Sequence, residues 1–113
     1  MFRVRAFTQD DAHIYCLPEQ IESEINNIID LVKEIYSALG FKEYIFEIST
    51  RPEKYVGSLK TWDLAINALK NVLKKRKLKY DIDEGSGVFY GPKIDIKIKD
   101  SLGRKWQCAT IQY

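Results

Sequence analysis

The sequence predicts an α+β domain, an antiparallel sheet with two helices packed on it. Three observations carry this. Two segments, from Pro18 to Gly40 and from about residue 60 to 76, repeat apolar residues at helical three- and four-residue steps. Residues 92–99 instead alternate, Ile94, Ile96 and Ile98 against Asp95, Lys97 and Lys99, the signature of a half-buried strand. Asp100-Ser101-Leu102-Gly103 is turn chemistry, and it points to a hairpin with residues 104–113.

The elements follow in order. Residues 2–7 read as a strand and 12–16 as a second one or its continuation. Pro18 suits the start of a helix, and Glu19, Glu22 and Glu24 complement the positive end of its dipole. Ile21, Ile25, Ile28, Val32, Ile35 and Leu39 make its apolar stripe, and Gly40 ends it. In 42–48, Tyr44, Phe46 and Ile48 alternate with Glu43, Ile45 and Glu47, so one side of a strand is the more buried. Residues 49–60 connect to the second helix, whose inner face is Trp62, Ala65, Leu69, Val72 and Leu73. A strand near 79–83 and an EGSG loop complete the path to the final hairpin.

Composition narrows the class. At 113 residues the chain fits one domain at most. It is 45% hydrophobic and 30% charged, which is globular rather than disordered. No apolar run approaches a membrane span, and no signal peptide is present, so no membrane role is expected. Cys16 and Cys108 are too few for a disulfide scaffold, and reduced thiols in a cytoplasmic setting are expected. A net charge of +2 makes no global case for nucleic acid. Lys70, Lys74, Lys75, Arg76, Lys77 and Lys79 do cluster, either as a solvated helix end or as a contact for an anionic partner. There is no P-loop, no Ser-His-Asp triad and no covalent nucleophile.

Chemistry concentrates in the first run, RVRAFTQDDAHIYC. In an extended chain Arg3, Arg5, Phe7, Gln9, Asp11 and His13 share one face. That face carries cations, a ring, hydrogen-bonding groups and a potential metal ligand. Each residue also has a plainer reading: Arg3 solvated, Phe7 in the core, Gln9 and Asp11 in a turn, His13 hydrogen-bonded beside Asp11.

RVRAFTQDDAHIYC, STRPEKYVGS, EGSGVFYGPKIDI and LGRKWQCATIQ together resemble threonyl-tRNA synthetase, in the central part of its class II catalytic domain. The resemblance spans essentially the whole chain. Ala6 stands where the family usually has glycine, and Tyr15 where phenylalanine is common. The family activates threonine with ATP and magnesium, transfers it to tRNA(Thr), and holds a zinc ion that grips the amine and hydroxyl of threonine. Such a two-point polar grip rejects valine, whose methyl cannot replace the hydroxyl.

The resemblance implies roles for residues. Arg3 lies near the ATP phosphates, where a guanidinium pairs with phosphate and offsets developing charge. Phe7 stacks on adenine; Gln9 and Asp11 contact threonine; His13 is a zinc ligand. Tyr90 and Gln112 belong to the threonine site. Lys93 lies near the reacting carboxylate and α-phosphate, and Gln107 and Thr110 on the nucleotide side. The plainer readings are a turn for YGPK and a half-polar strand for 104–113.

Substrate-binding zinc needs three protein ligands. The family's other two lie outside the matched segment; Cys16 has the opposite parity to His13, and Cys108 is not a family ligand. The chain is therefore expected to bind no metal. Residues 1–113 correspond to the second half of motif 2 up to just before motif 3, a fragment expected to be inactive alone and to bind no cofactor. The alternative is a catalytically dead stand-alone module used for binding or structure. Unpaired sheet edges lead to an expectation of self-association.

Overall fold

A computed structural model describes residues 4–113. Two helices lie on a four-stranded sheet: α1 (Ile21–Ala38), β1 (Ile45–Ser49), α2 (Leu59–Lys75), β2 (Tyr80–Asp83), β3 (Lys93–Lys99) and β4 (Lys105–Gln112), with strand order β2-β1-β3-β4. The expected α+β architecture is present. Its sheet is mixed, because β1 pairs in parallel with β2 while β1–β3 and β3–β4 are antiparallel. The reason is connectivity. Parallel neighbours need a long crossover, and α2 supplies it between β1 and β2.

The expected strands at 2–7 and 12–16 are a correction. Residues 2 and 3 fall outside the described residues, and residues 4–17 contain no strand and are exposed throughout. An alternating pattern makes a strand only when a neighbour takes up its backbone groups. No described strand pairs with this run.

A short 3-10 turn, Pro18–Gln20, leads into α1, and the Gln20 side chain accepts the Leu17 N–H at 2.8 Å. At the other end Gly40 takes φ +85°, Gly40 N–H donates to Ser37 O at 3.0 Å and Phe41 N–H to Tyr36 O at 2.8 Å. This is a Schellman ending, and glycine suits its left-handed residue. The buried residues of α1 are Ile25, Ile29 and Tyr36, with Ile21, Ile28 and Val32 packed alongside. Ile35 and Leu39, expected inside, are 44% and 67% exposed. Consecutive helical residues differ by about 100° in direction, so placing Tyr36 inward turns Ile35 aside; Leu39 lies past the last helical residue.

α2 is capped by Ser58, whose hydroxyl accepts the Thr61 N–H at 3.2 Å. Its expected inner face, Trp62, Ala65, Leu69, Val72 and Leu73, is buried. Arg76 donates to Asn26 at 3.1 Å and pairs with Asp30, while Lys75 pairs with Glu22. Two members of the basic cluster thus tie α2 to α1. The Arg76 guanidinium holds the Asp30 carboxyl below its usual range. The core lies between the helices and one face of the sheet, where Phe46, Ile48, Ile94, Ile96 and Ile111 meet α1 and α2.

Candidate functional site

Alternation that sends Phe46, Ile48, Ile94, Ile96 and Ile111 to the core sends their neighbours to the opposite face. Two rows run across that face from β1 to β3 to β4: Ser49–Lys93–Gln112 and Glu47–Asp95–Thr110. Lys97 and Gln107 extend it, as a paired position beyond the register shift between Ile96 and Lys97. Cys108 is the extra residue of that shift, which lets Gln107 rejoin the polar side.

A buried carboxylate organises this face. Asp95 is 3% exposed, and an ionised group so placed needs partners. It has three, each from a different strand. Thr110 Oγ1 donates to Asp95 Oδ1 at 2.9 Å, Ser49 Oγ donates to Oδ2 at 3.2 Å, and Lys93 Nζ lies 2.8 Å from Oδ2. Gln107 Nε2 donates in turn to Thr110 Oγ1 at 2.6 Å. Beside them Lys97 pairs with Glu47, and that hydrogen bond raises the lysine's pKa.

The strand end at Lys93 is pinned by a close backbone approach. Gly91 N–H donates to Val88 O at 3.2 Å, closing a turn with Phe89 and Tyr90 at its tip. A Cβ on Gly91 would sit 2.0 Å from Tyr113 O, so only glycine fits. Gln112 Nε2 donates to Pro92 O at 2.9 Å, and Tyr113 N–H donates to the same oxygen at 3.1 Å. Tyr90 is 61% exposed, its ring edge-on to Phe89 with centroids 5.1 Å apart.

The structure therefore brings Lys93, Gln107, Thr110 and Gln112 to one side of the sheet, with Tyr90 on the turn before it. Phe7, Gln9, Asp11 and His13 lie instead in the exposed run, and none is hydrogen-bonded to this cluster among the described residues. Phe7 is 75% exposed, which removes its core-packing reading. Arg3 lies outside the described residues. Among the described residues no three histidine, cysteine or acidic side chains gather as a metal centre, so His13 with Cys16 and Cys108 does not fit a zinc site here. A cavity lined by Arg51, Asp63, Lys70 and Glu84 lies on the helix side of β1 and β2, away from the polar face.

Asp95 and Ser49 were not among the expected site residues. Asp95 alternates with isoleucines and reads as one solvated charge of a half-buried strand. Only the register, which places it between Glu47 and Thr110, marks it as enclosed.

The tRNA synthetase class II core domain family (G, H, P, S and T) matches residues 1–113. The chain is 58% identical over 112 residues to the threonine–tRNA ligase of Natranaerobius thermophilus, covering 99% of this chain and 18% of that protein. It is 57% identical to the chloroplastic/mitochondrial threonine–tRNA ligase 2 of Arabidopsis thaliana, covering 99% of this chain and 17% of that one. Among solved structures, the RNA binding domain of threonyl-tRNA synthetase from Cryptosporidium parvum Iowa II aligns with TM-score 0.91 and 47% identity, over 97% of this chain and 27% of that chain. The chain thus spans less than a fifth of the length of these curated relatives. With the fold and the whole-length match in agreement, the chain belongs to the class II tRNA synthetase core-domain family.

Proposed function

We propose that this chain is the part of a threonine–tRNA ligase catalytic domain running from the second half of motif 2 to just before motif 3. Its polar sheet face is one wall of the site where threonine is activated with ATP and then passed to tRNA(Thr). The observation that carries this is the convergence of Lys93, Thr110, Gln107 and Gln112 on one side of the sheet. The names of the relatives support it.

In activation an oxygen of the threonine carboxylate attacks the α-phosphorus and pyrophosphate leaves. The demands are alignment of two anions and relief of the charge that builds between them. Lys93 supplies a cation at the strand end. Gln107 and Thr110 supply an amide and a hydroxyl for the nucleotide, and Tyr90 and Gln112 groups for threonine. In this reading Phe7, Gln9 and Asp11 face adenine and threonine, and Arg3 faces phosphate, once the first run is held against the sheet. The described residues do not assemble a zinc centre, so no step here is routed through one. A cytoplasmic setting goes with this reading. No helix among the described residues is long and apolar enough to cross a membrane.

Titrating the chain with ATP, magnesium and threonine while following amide NMR signals tests this. Because the chain alone is expected to hold no cofactor tightly, only weak, fast-exchanging shifts are expected, confined to residues 90–95 and 107–112, and their absence overturns the reading. ATP–pyrophosphate exchange by the chain alone should stay at background; turnover would overturn its inactivity in isolation.

A further inference from the structure

We infer that Asp95 is a positioning residue, holding the Lys93 ammonium and the Thr110 hydroxyl in the places from which they meet substrate; this rests on the reading of the polar face as the adenylate-forming wall. Three facts carry it. Asp95 is almost wholly enclosed, although it lies on the face away from the helices. Its two oxygens divide the work: Oδ1 accepts from Thr110 at 2.9 Å, and Oδ2 takes Ser49 at 3.2 Å and Lys93 at 2.8 Å. The partners come from β1, β3 and β4, so the carboxylate sets the side chains of three strands relative to one another.

Neither partner is fixed without it. A lysine has four rotatable side-chain bonds and a point charge that accepts many geometries. A threonine hydroxyl rotates to suit its surroundings. With its hydrogen committed to Asp95, Thr110 Oγ1 presents its lone pairs, and it already accepts from Gln107 at 2.6 Å. A ligand reaching this wall therefore meets a donor amide on Gln107 and an ammonium on Lys93 whose places trace back to one carboxylate. Glu47 and Lys97 form a neighbouring pair in which Glu47 is the main partner of Lys97 and Asp95 only a lesser one, so Lys97 serves as the comparison.

Asp95→Asn tests the inference, since it removes the charge with little change of volume. The direct readout is the Nζ resonance of Lys93 in the 15N-labelled chain at low temperature. An ammonium held by a carboxylate exchanges slowly and is seen. In Asp95→Asn the Lys93 signal should be lost, the Lys97 signal should persist, and the backbone amide spectrum should stay folded. Glu47→Gln should do the reverse, losing Lys97 and keeping Lys93. Apparent affinity for ATP with magnesium and threonine should fall between about tenfold and 100-fold in Asp95→Asn, the scale of losing a positioned group. A Lys93 signal that survives in Asp95→Asn overturns the positioning role. So does equal loss of Lys93 and Lys97, which marks a merely structural carboxylate. If the wild-type chain binds no ATP yet Lys93 still depends on Asp95, the adenylate reading fails and the positioning role stands. Should Asp95→Asn not fold, Asp95→Glu decides: a longer carboxylate that keeps the Lys93 signal supports the role, and one that loses it with the fold intact overturns it.

Discussion

Asp100 gathers the β3–β4 turn around one carboxylate. Its Oδ1 accepts the Leu102 and Arg104 N–H groups at 2.9 Å each, and Oδ2 accepts from Trp106 Nε1 at 2.9 Å and Arg104 Nε at 2.7 Å. The Trp106 bond, then those from Arg104 and Leu102, favour the ionised form and hold the pKa at about 2. The sign follows from linkage. A depressed carboxyl stabilises the folded hairpin fully above its ordinary pKa, and that support is lost as pH falls from about 4 through about 2. A carboxyl-carbon NMR titration of Asp100 should show a midpoint near 2, and one near the ordinary aspartate value would refute the clamp. The turn itself was legible from Asp100-Ser101-Leu102-Gly103. The Trp106 contact was not, because it depends on where a strand side chain swings once the hairpin has formed.

At the scale of elements, both helices end in the same motif with different residues at its left-handed position. α1 uses Gly40, whereas α2 uses Lys77, at φ +54°, with Leu78 N–H donating to Leu73 O at 3.0 Å. A side chain in this conformation costs about 1–2 kcal/mol, and glycine returns about 0.5–1 kcal/mol of that through its freer unfolded state. Lys77→Gly should therefore stabilise the chain by about 0.5 kcal/mol and raise the Tm by about 3 °C. A lower Tm would mean that the Lys77 side chain does something the geometry does not reveal. The helices and the β3–β4 hairpin could be read from sequence because their signals are local: period, cap and turn. The parallel β1–β2 pairing could not, since no local pattern names a strand's partner. The first run failed the other way. Its alternation was real, but the neighbour a strand requires was not among the described elements. The candidate site followed the same division. Lys93, Gln107, Thr110 and Gln112 were visible as motif residues, while Asp95 and Ser49 became visible only through register.

At the scale of the whole molecule, the sheet has two open flanks among the described residues, β2 and β4. β4 is eight residues long, and Trp106 on it is 53% exposed. A long strand with unpaired backbone groups is a template for another chain. The shift at Cys108 kinks this flank and blunts it in the middle only. Self-association through β4 should appear as a weight-average mass that rises with concentration in sedimentation. A monomer across a wide range would show that the kink suffices. The radius of gyration, 14.7 Å, exceeds the value of about 13 Å typical of a compact chain this long. The exposed run before α1 fits this excess.

The crossover also sets an order in time. β3 and β4 are joined by a short turn, so their pairing closes a small loop. β1 meets β2 only after the chain has travelled through α2, and it meets β3 later still in sequence. Loop closure costs more entropy as the loop lengthens, and non-local pairing is slow. The hairpin should thus form early, and β1, bringing β2 with it, should join the exposed edge of β3 last. Truncating Ile48 should then mainly speed unfolding, whereas truncating Ile96 should slow folding; equal effects on both rates at the two positions would reject this order.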